Sequence, residues 1–197
     1  MSQFLRDDFD RLHDYGCLIK QRIVYFGSEI YEDNGEESGV EFMSASKLIK
    51  NLLYLDQKNK TRILLHYNSP GGDWDRGIAI HDCIKGLRSD VTMVGYGCVR
   101  SMGTVIMQAC YKRYLTPNCR FMVHDGTWGH YGTSEDGWRN ALENQWTRTR
   151  MHEIYLDRMI RKDKKMTLKK IARMCEHDNY MSGQEAVKIG LADKVLE

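Results

Sequence analysis

The sequence predicts an α/β fold built on a largely parallel sheet. Two observations support this class: short β-branched and aromatic runs alternate with segments of helical apolar spacing, and the connections between them are short. Such alternation implies right-handed crossovers between parallel strands. The chain has 197 residues, and a hydrophobic content of 42% is enough for one packed domain over residues 1–197.

The first two thirds of the chain contain most of the predicted strands. Cys17–Arg22 is predicted to be a short helical segment that leads into a strand at Ile23–Phe26. Glu32–Gly39 is predicted to be an exposed acidic loop, and Ser46–Tyr54 an amphipathic helix. Strands are then predicted at Ile63–Leu65, Val91–Tyr96, Arg113–Leu115 and Phe121–His124, with helices at Ile78–Leu87 and Ser101–Cys110. Ligands of such a sheet bind at the carboxyl ends of its strands.

The last third is predicted to be mostly helical. One long helix runs from Ser134 to about Arg161, because aromatic and apolar residues recur mostly four apart at Trp138, Leu142, Trp146, Met151, Tyr155 and Met159. At ~1.5 Å per residue it spans roughly 40 Å, and its apolar stripe predicts self-association. Another helix begins near Thr167, a capping box at Ser182–Glu185 starts a short helix that Gly190 ends, and Ala192–Leu196 is the last strand.

Composition excludes several classes of partner. The net charge is +2, with 29 basic and 27 acidic residues spread along the chain, so neither nucleic acid nor an anionic membrane surface is favoured. The six cysteines form no C-x-x-C pair and are expected to be reduced and structural, with no bound metal or cofactor. Met1–Asp10 does not resemble a signal peptide, and no apolar run approaches the ~18 residues of a spanning helix. We therefore expect a soluble, cytoplasmic protein.

Three short motifs lie where predicted strands end: Asn68–Gly72, Arg100–Gly103 and Met122–His124. They supply a glycine turn with free N–H groups, a serine at a helix start and a histidine at a strand end. A serine hydroxyl needs a base within hydrogen-bond reach, and the oxyanion that forms needs fixed N–H donors. The three motifs together predict a serine hydrolase.

Each residue taken alone has an ordinary structural explanation. Ser101 alone is more typical of a helix N-cap, and its sequence lacks the first glycine of the G-x-S-x-G elbow. His124 alone is typical of a strand-end histidine, and Gly71–Gly72 of a tight turn. No structural explanation requires all three groups to meet at one sheet edge, and this combination favours the hydrolase.

A carboxylate must orient the imidazole. Asp125 is disfavoured because consecutive strand residues point to opposite faces, and Asp136 lies near the start of the long helix. Asp178 lies in a predicted loop between the last two helices that can return to the sheet edge. Spacing alone does not decide among them.

These motifs, with the ending Met181–Asp193, resemble the proteolytic subunit of the Clp protease, ClpP, over about Leu18 to Leu196. The resemblance implies a ClpP/crotonase-like fold of stacked β-β-α units with a protruding handle helix, the handle segment covering about residues 126–161. It implies a serine endopeptidase in which Ser101 is the nucleophile, His124 the base and Asp178 its orienting partner. The oxyanion hole would consist of the N–H groups of Gly72 and Met102.

The resemblance also implies an assembly and a substrate. Family members cleave peptides or unfolded proteins as homo-oligomers of two stacked heptameric rings, a tetradecamer, and normally receive chains from an AAA+ unfoldase. Residues 126–132 would be a strand that binds extended peptides by β-addition. Substrate contacts are predicted for Gly71, Trp74, Thr127 and Gly129.

Some residues depart from the family pattern and keep two alternatives open. Arg100 before the serine and Trp74 after the glycine pair are bulky, which is typical of a divergent or phage-encoded member and compatible with a catalytically silent structural subunit. A crotonase-like acyl-CoA enzyme has a similar two-N–H oxyanion hole but no role for a Ser101–His124 pair. The sequence therefore favours an active peptidase.

Overall fold

The computed structural model describes residues 11–27 and 39–197. The named helices of this part are α1 (Phe42–Lys58), α2 (Trp74–Gly86), α3 (Met102–Ala109), α4 (Ser134–Met159), α5 (Leu168–Cys175) and α6 (Gly183–Ile189). The strands are β1 (Cys17–Leu18), β2 (Ile23–Phe26), β3 (Ile63–Ser69), β4 (Val91–Arg100), β5 (Lys112–Leu115), β6 (Arg120–Val123), β7 (Asn179–Ser182) and β8 (Lys194–Val195). Met1–Asp10 and residues 32–38 of the predicted acidic loop lie outside the described residues.

The predicted α/β class is confirmed, and the sheet is largely parallel. Its main path runs β1-β2-β3-β4-β5-β8, while β6 pairs with β4 and β7 pairs with β6. Every pair among β2, β3, β4, β5, β6 and β8 is parallel, and β1 and β7 are antiparallel to their neighbours.

Strand β4 is long enough to pair with two strands on one side. Its first half, Thr92–Gly95, pairs with β5, and its last residues, Cys98–Arg100, pair with β6. Between them, Gly97 has a φ of 53° and the Cys98 N–H donates to the Asn68 side chain at 3.2 Å. This irregularity separates the part of β4 that pairs with β5 from the part that pairs with β6.

Two strands differ from the sequence-based predictions. Cys17–Arg22 was predicted as a helical approach, but Cys17–Leu18 is strand β1 and pairs with β2. The strand conformation of these two residues depends on pairing with β2, which their own sequence does not indicate. Glu176–Tyr180 was predicted as a loop, but its last two residues belong to β7 (Asn179–Ser182), whose antiparallel pairing with β6 cannot be read from its four residues.

The capping signals predicted for α6 are present, and α4 has an N-cap as well. The capping box is present because Ser182 Oγ accepts the Glu185 N–H and the Ser182 N–H donates to Glu185. Gly190 ends α6 in a left-handed conformation with φ of 89°. Thr133 caps α4 by accepting the Asp136 N–H at 3.2 Å.

The predicted long helix is α4, and its two halves differ in burial. Its second half packs into the core through Met151, Tyr155 and Met159, and the Tyr155 hydroxyl bonds to the Thr104 hydroxyl of α3 at 2.6 Å. In its first half, Trp138 and Trp146 are 64% and 59% exposed. One end of α4 is therefore anchored beside α3, and the other presents aromatic surface to solvent.

Within the described residues no helix combines the length and apolarity needed to cross a bilayer.

Candidate active site

The sheet registers bring the three motifs together. Arg100 of β4 lies opposite Met122 of β6, so the residues that follow these strands, Ser101 and His124, lie at one edge. Strand β7 runs the other way and places Asn179 opposite Val123. Asp178, which precedes β7, therefore lies beside His124.

Ser101 occupies a strained turn between β4 and α3. Its φ of 49° and ψ of −124° are unusual for a residue with a side chain, and such conformations cost about 1–3 kcal/mol. The Ser101 N–H donates to the Met122 carbonyl at 2.8 Å, and its carbonyl accepts the Thr104 N–H at 2.9 Å. These backbone bonds hold a conformation that points the hydroxyl out of the sheet edge, as in the nucleophile elbow of α/β-hydrolases.

The hydroxyl of Ser101 is bonded to the imidazole rather than to the helix. Ser101 is the N-cap residue of α3, yet its side chain makes no capping hydrogen bond. Its Oγ lies 2.8 Å from His124 Nε2. This geometry removes the ordinary N-cap explanation that the sequence left open.

The imidazole also contacts the predicted carboxylate. His124 Nδ1 lies 2.9 Å from Asp178 Oδ1, so a proton on Nδ1 leaves Nε2 free to accept the Ser101 hydroxyl proton. The His124 side chain is 21% exposed, but that of Asp178 is 56% exposed. The hydrogen-bonded chain is therefore open to solvent at its carboxylate end.

The other two carboxylates considered from the sequence have different partners. Asp136 accepts a hydrogen bond from the Thr133 hydroxyl at the start of α4. Asp125 binds Arg148 and His152, both on α4, with His152 Nε2 at 2.7 Å from Asp125 Oδ1. Neither carboxylate bonds to His124.

The N–H groups of Gly72 and Met102 are the candidate oxyanion donors beside the serine. The Gly71 carbonyl accepts the Val40 N–H at 2.7 Å, and because a trans peptide directs its C=O and N–H to opposite sides, the Gly72 N–H points away from Val40. The Met102 N–H is the first of α3 and has no acceptor within the helix. Both residues line the cavity that contains Ser101. The start of α3 adds a partial positive charge at the same point.

Gly71 fits closely against the serine turn. Its φ is 109°, and a Cβ at this position would lie 2.6 Å from Ser101 Cβ and 3.1 Å from the Met102 nitrogen. Gly72 has a φ of 148°, and a Cβ there would lie 2.4 Å from the Val40 carbonyl oxygen. The glycine pair therefore permits the close approach of β3, Ser101 and the segment around Val40.

A cavity of about 570 Å³ extends from Ser101 along α4. Of the predicted substrate contacts, Trp74 and Thr127 line this cavity. Gly71 and Gly129 are not among its lining residues in the described part of the chain, and Gly71 packs against the Ser101 turn instead. The helix contributes lining residues that the sequence reasoning missed, namely Asn144, Thr147, Arg148 and Met151. Their spacing of three or four residues was visible, but nothing in the sequence showed which face of α4 meets the site.

The two bulky residues that depart from the family pattern, Trp74 and Arg100, lie in different places. The half-buried Trp74 forms part of the cavity wall. The Arg100 guanidinium instead lies over the Tyr180 ring, 5.5 Å from its centroid, and Arg100 is absent from the cavity lining within the described ranges. Arg100 therefore does not narrow the cavity beside Ser101.

The predicted peptide-binding strand is not formed. Residues 124–131 carry neither helix nor strand, and Trp128 and Tyr131 are exposed. A strand requires a hydrogen-bonded neighbour, and the described part of the chain provides none along residues 126–132.

One comparison with known proteins bears on this site. The family model described as Clp protease matches residues 8–197. The match includes all three motifs, the whole of α4 and the segment that carries Asp178.

Proposed function

The chain belongs to the Clp protease family of peptidases, and on this premise we propose that it is a serine-type endopeptidase that uses Ser101, His124 and Asp178. Its substrates are peptides or unfolded proteins, because cleavage requires an extended segment in the open cavity beside Ser101. The continuous hydrogen-bonded chain from Ser101 Oγ through His124 to Asp178 carries the proposal.

Acylation follows from the positions of these groups. His124 Nε2 takes the Ser101 hydroxyl proton as Oγ attacks the peptide carbonyl, and the resulting imidazolium is stabilised by Asp178. The oxyanion accepts hydrogen bonds from the N–H groups of Gly72 and Met102, each contributing roughly 3 to 4 kcal/mol by analogy with measured hydrolases. When the tetrahedral intermediate collapses, the C–N bond breaks and Nε2 gives its proton to the leaving amine.

Deacylation repeats the same chemistry with water. His124 removes a proton from a water molecule that attacks the acyl-Ser101 ester, and the same two N–H groups bind the second oxyanion. Collapse of this intermediate breaks the ester bond, releases the carboxylic acid product and returns a proton from His124 to Ser101 Oγ. The active site then regains its starting protonation state.

Peptide turnover separates this function from that of a silent structural subunit. The purified chain is incubated with a fluorogenic peptide library, and sustained turnover with release of free amine is expected. Absence of turnover from every peptide, together with absence of an acyl-enzyme burst, would favour the silent subunit.

Asp178→Asn should reduce activity by about 10² to 10³-fold in kcat/KM, because an amide neither stabilises the imidazolium nor selects the Nδ1–H tautomer as well. We expect a loss below the ~10⁴-fold found for a buried carboxylate because Asp178 is 56% exposed. Asp136→Asn is the matched control and should keep near-normal kcat/KM. Equal losses in the two variants would remove Asp178 from the mechanism.

Trp74→Val should change the peptide preference. Trp74 lines the cavity beside Ser101, and a smaller side chain there admits larger substrate side chains next to the scissile bond. A shift of about 10- to 200-fold in the ratio of kcat/KM values for large and small residues is expected, the range for shape discrimination in an apolar pocket. An unchanged ratio would show that Trp74 does not shape the specificity pocket.

We also propose that the peptidase is a ring-forming homo-oligomer. The exposed Trp138, Leu142 and Trp146 on the first half of α4 support self-association, since burial by a second copy removes this apolar surface from water. Two stacked heptameric rings, an AAA+ unfoldase partner and a cytoplasmic location belong to the same proposal. The mass of the native assembly tests the ring number.

A further inference from the structure

A second group of side chains lies between α4, the end of β6 and the end of α5. Asp125 follows β6, His152 lies in the second half of α4 and Cys175 ends α5. One ligand atom from each of the three residues lies within 4.8 Å of the others. The peptidase mechanism has no role for these three side chains.

The group is buried, yet two cavities adjoin it. The side chains of Asp125 and His152 are 8% and 9% exposed, and Cys175 is fully buried. Asp125 lines the cavity that contains Ser101, while His152 lines a neighbouring cavity of about 470 Å³, and Arg148 lines both. Two of the three residues therefore border a cavity.

The donor set matches the chemistry of a borderline-soft divalent cation. A thiolate sulfur, an imidazole nitrogen and a carboxylate oxygen are the ligands that Zn²⁺ takes, and three protein ligands leave its fourth position open. Arg148 already binds the other carboxylate oxygen of Asp125, and the Asp125 N–H donates to the Cys175 carbonyl at 2.7 Å. Such outer contacts orient metal ligands.

We propose that Asp125 Oδ1, His152 Nε2 and Cys175 Sγ form a binding site for a zinc-type divalent cation. Oδ1 and Nε2 are 2.7 Å apart, joined by a hydrogen bond, and must separate to roughly 3.3 Å to share a tetrahedral ion. This movement is small because the partners are side chains at the ends of three separate elements. The site changes our expectation that Cys175 is only a structural thiol.

Binding of the cation displaces the thiol proton of Cys175 and shifts the proton of the His152 ring. The thiol proton leaves for solvent, and the proton between His152 Nε2 and Asp125 Oδ1 moves to Nδ1 of the same ring, so each ion bound releases one proton when the imidazole is neutral. Burial, with a further contribution from the Asp125 charge, raises the pKa of the Cys175 thiol to about 12. A coordinated thiol is nevertheless deprotonated outright.

Cobalt(II) is the probe for this site because it adopts zinc geometry and reports its ligands spectroscopically. The full chain, reduced and free of chelator, is titrated with Co²⁺. We expect one ion per chain, the visible bands of tetrahedral cobalt and a thiolate-to-cobalt charge-transfer band in the near ultraviolet, all lost when Zn²⁺ is added. Absence of the charge-transfer band in the unmodified chain overturns the proposal by itself.

Matched variants assign the ligands. Cys175→Ser should eliminate the charge-transfer band, and His152→Asn should weaken Co²⁺ binding at least about tenfold, as loss of even an outer partner does. Cys83→Ser in α2 and His177→Asn at an exposed position are the controls and should bind as the unmodified chain does. A band that survives in Cys175→Ser contradicts the site, and so does unchanged affinity in His152→Asn, which decides the question if the serine variant does not fold.

The triad is the competing location for the ion, since it also contains an imidazole and a carboxylate. His124→Asn removes that imidazole and leaves the three proposed ligands in place. Normal Co²⁺ binding by this variant supports the proposed site. Loss of binding in His124→Asn with retention in His152→Asn would place the ion at the triad and overturn the assignment.

Discussion

Ser101→Ala should eliminate covalent labelling by a fluorophosphonate and reduce peptide turnover by about 10⁶-fold, as removal of the nucleophile does in other serine peptidases. The reason is that alanine retains the backbone of the turn but has no oxygen to form the acyl-enzyme. His124 then has no hydroxyl proton to accept. Labelling is measured by intact mass and turnover with a fluorogenic peptide.

Ser134→Ala is the matched control because Ser134 is an exposed residue at the start of α4. It should label and turn over peptide as the unmodified chain does. Both variants should retain the native assembly, since the Ser101 side chain makes no capping bond in α3. Equal labelling of Ser101→Ala and the unmodified chain would assign the nucleophile to a different residue.

Gly71→Ala should reduce peptide turnover by about 10⁴-fold, combining a misplaced nucleophile with a lost oxyanion donor. The added methyl group meets Ser101 Cβ at 2.6 Å and the Met102 nitrogen at 3.1 Å, and the φ of 109° is itself strained for alanine. Both catalytic groups must move to relieve the contact. The rate of fluorophosphonate labelling measures the effect on the serine directly.

Gly86→Ala provides the control for adding a methyl group elsewhere. Gly86 ends α2, and a Cβ there meets no atom within 4 Å. Its circular dichroism and turnover should match those of the unmodified chain. If Gly71→Ala kept normal labelling and turnover, the close approach of β3 to the serine turn would have no catalytic importance.

The local parts of the site could be predicted from the sequence. The Ser101 turn, the glycine pair and the strand before His124 are each defined by a few neighbouring residues, and their junction follows from parallel pairing of β3, β4 and β6. The capping box at Ser182 was likewise readable because both partners lie three residues apart.

The choice among three aspartates could not be made from the sequence. It depends on strand β7, whose four residues acquire their conformation by pairing with β6. The register of Asn179 opposite Val123 places Asp178 at the imidazole, whereas Asp125 turns to α4. Long-range pairing of this kind leaves no periodicity in a short segment.

The face of α4 that meets the site also depends on tertiary packing. The regular apolar spacing predicted the helix, but its orientation against α3 depends on the burial of Met151, Tyr155 and Met159 and on the bond between Tyr155 and Thr104. That orientation directs Thr147, Arg148 and Met151 into the cavity and brings His152 to Asp125. The same packing therefore contributes to both the peptidase cavity and the proposed cation site.

Native and intact mass spectrometry after treatment with a fluorophosphonate tests the peptidase assignment most directly. We predict an oligomeric assembly in which each chain carries one adduct, located by peptide mapping on Ser101. No adduct at saturating reagent, or an adduct on a different side chain, would contradict the assignment of Ser101 as the nucleophile.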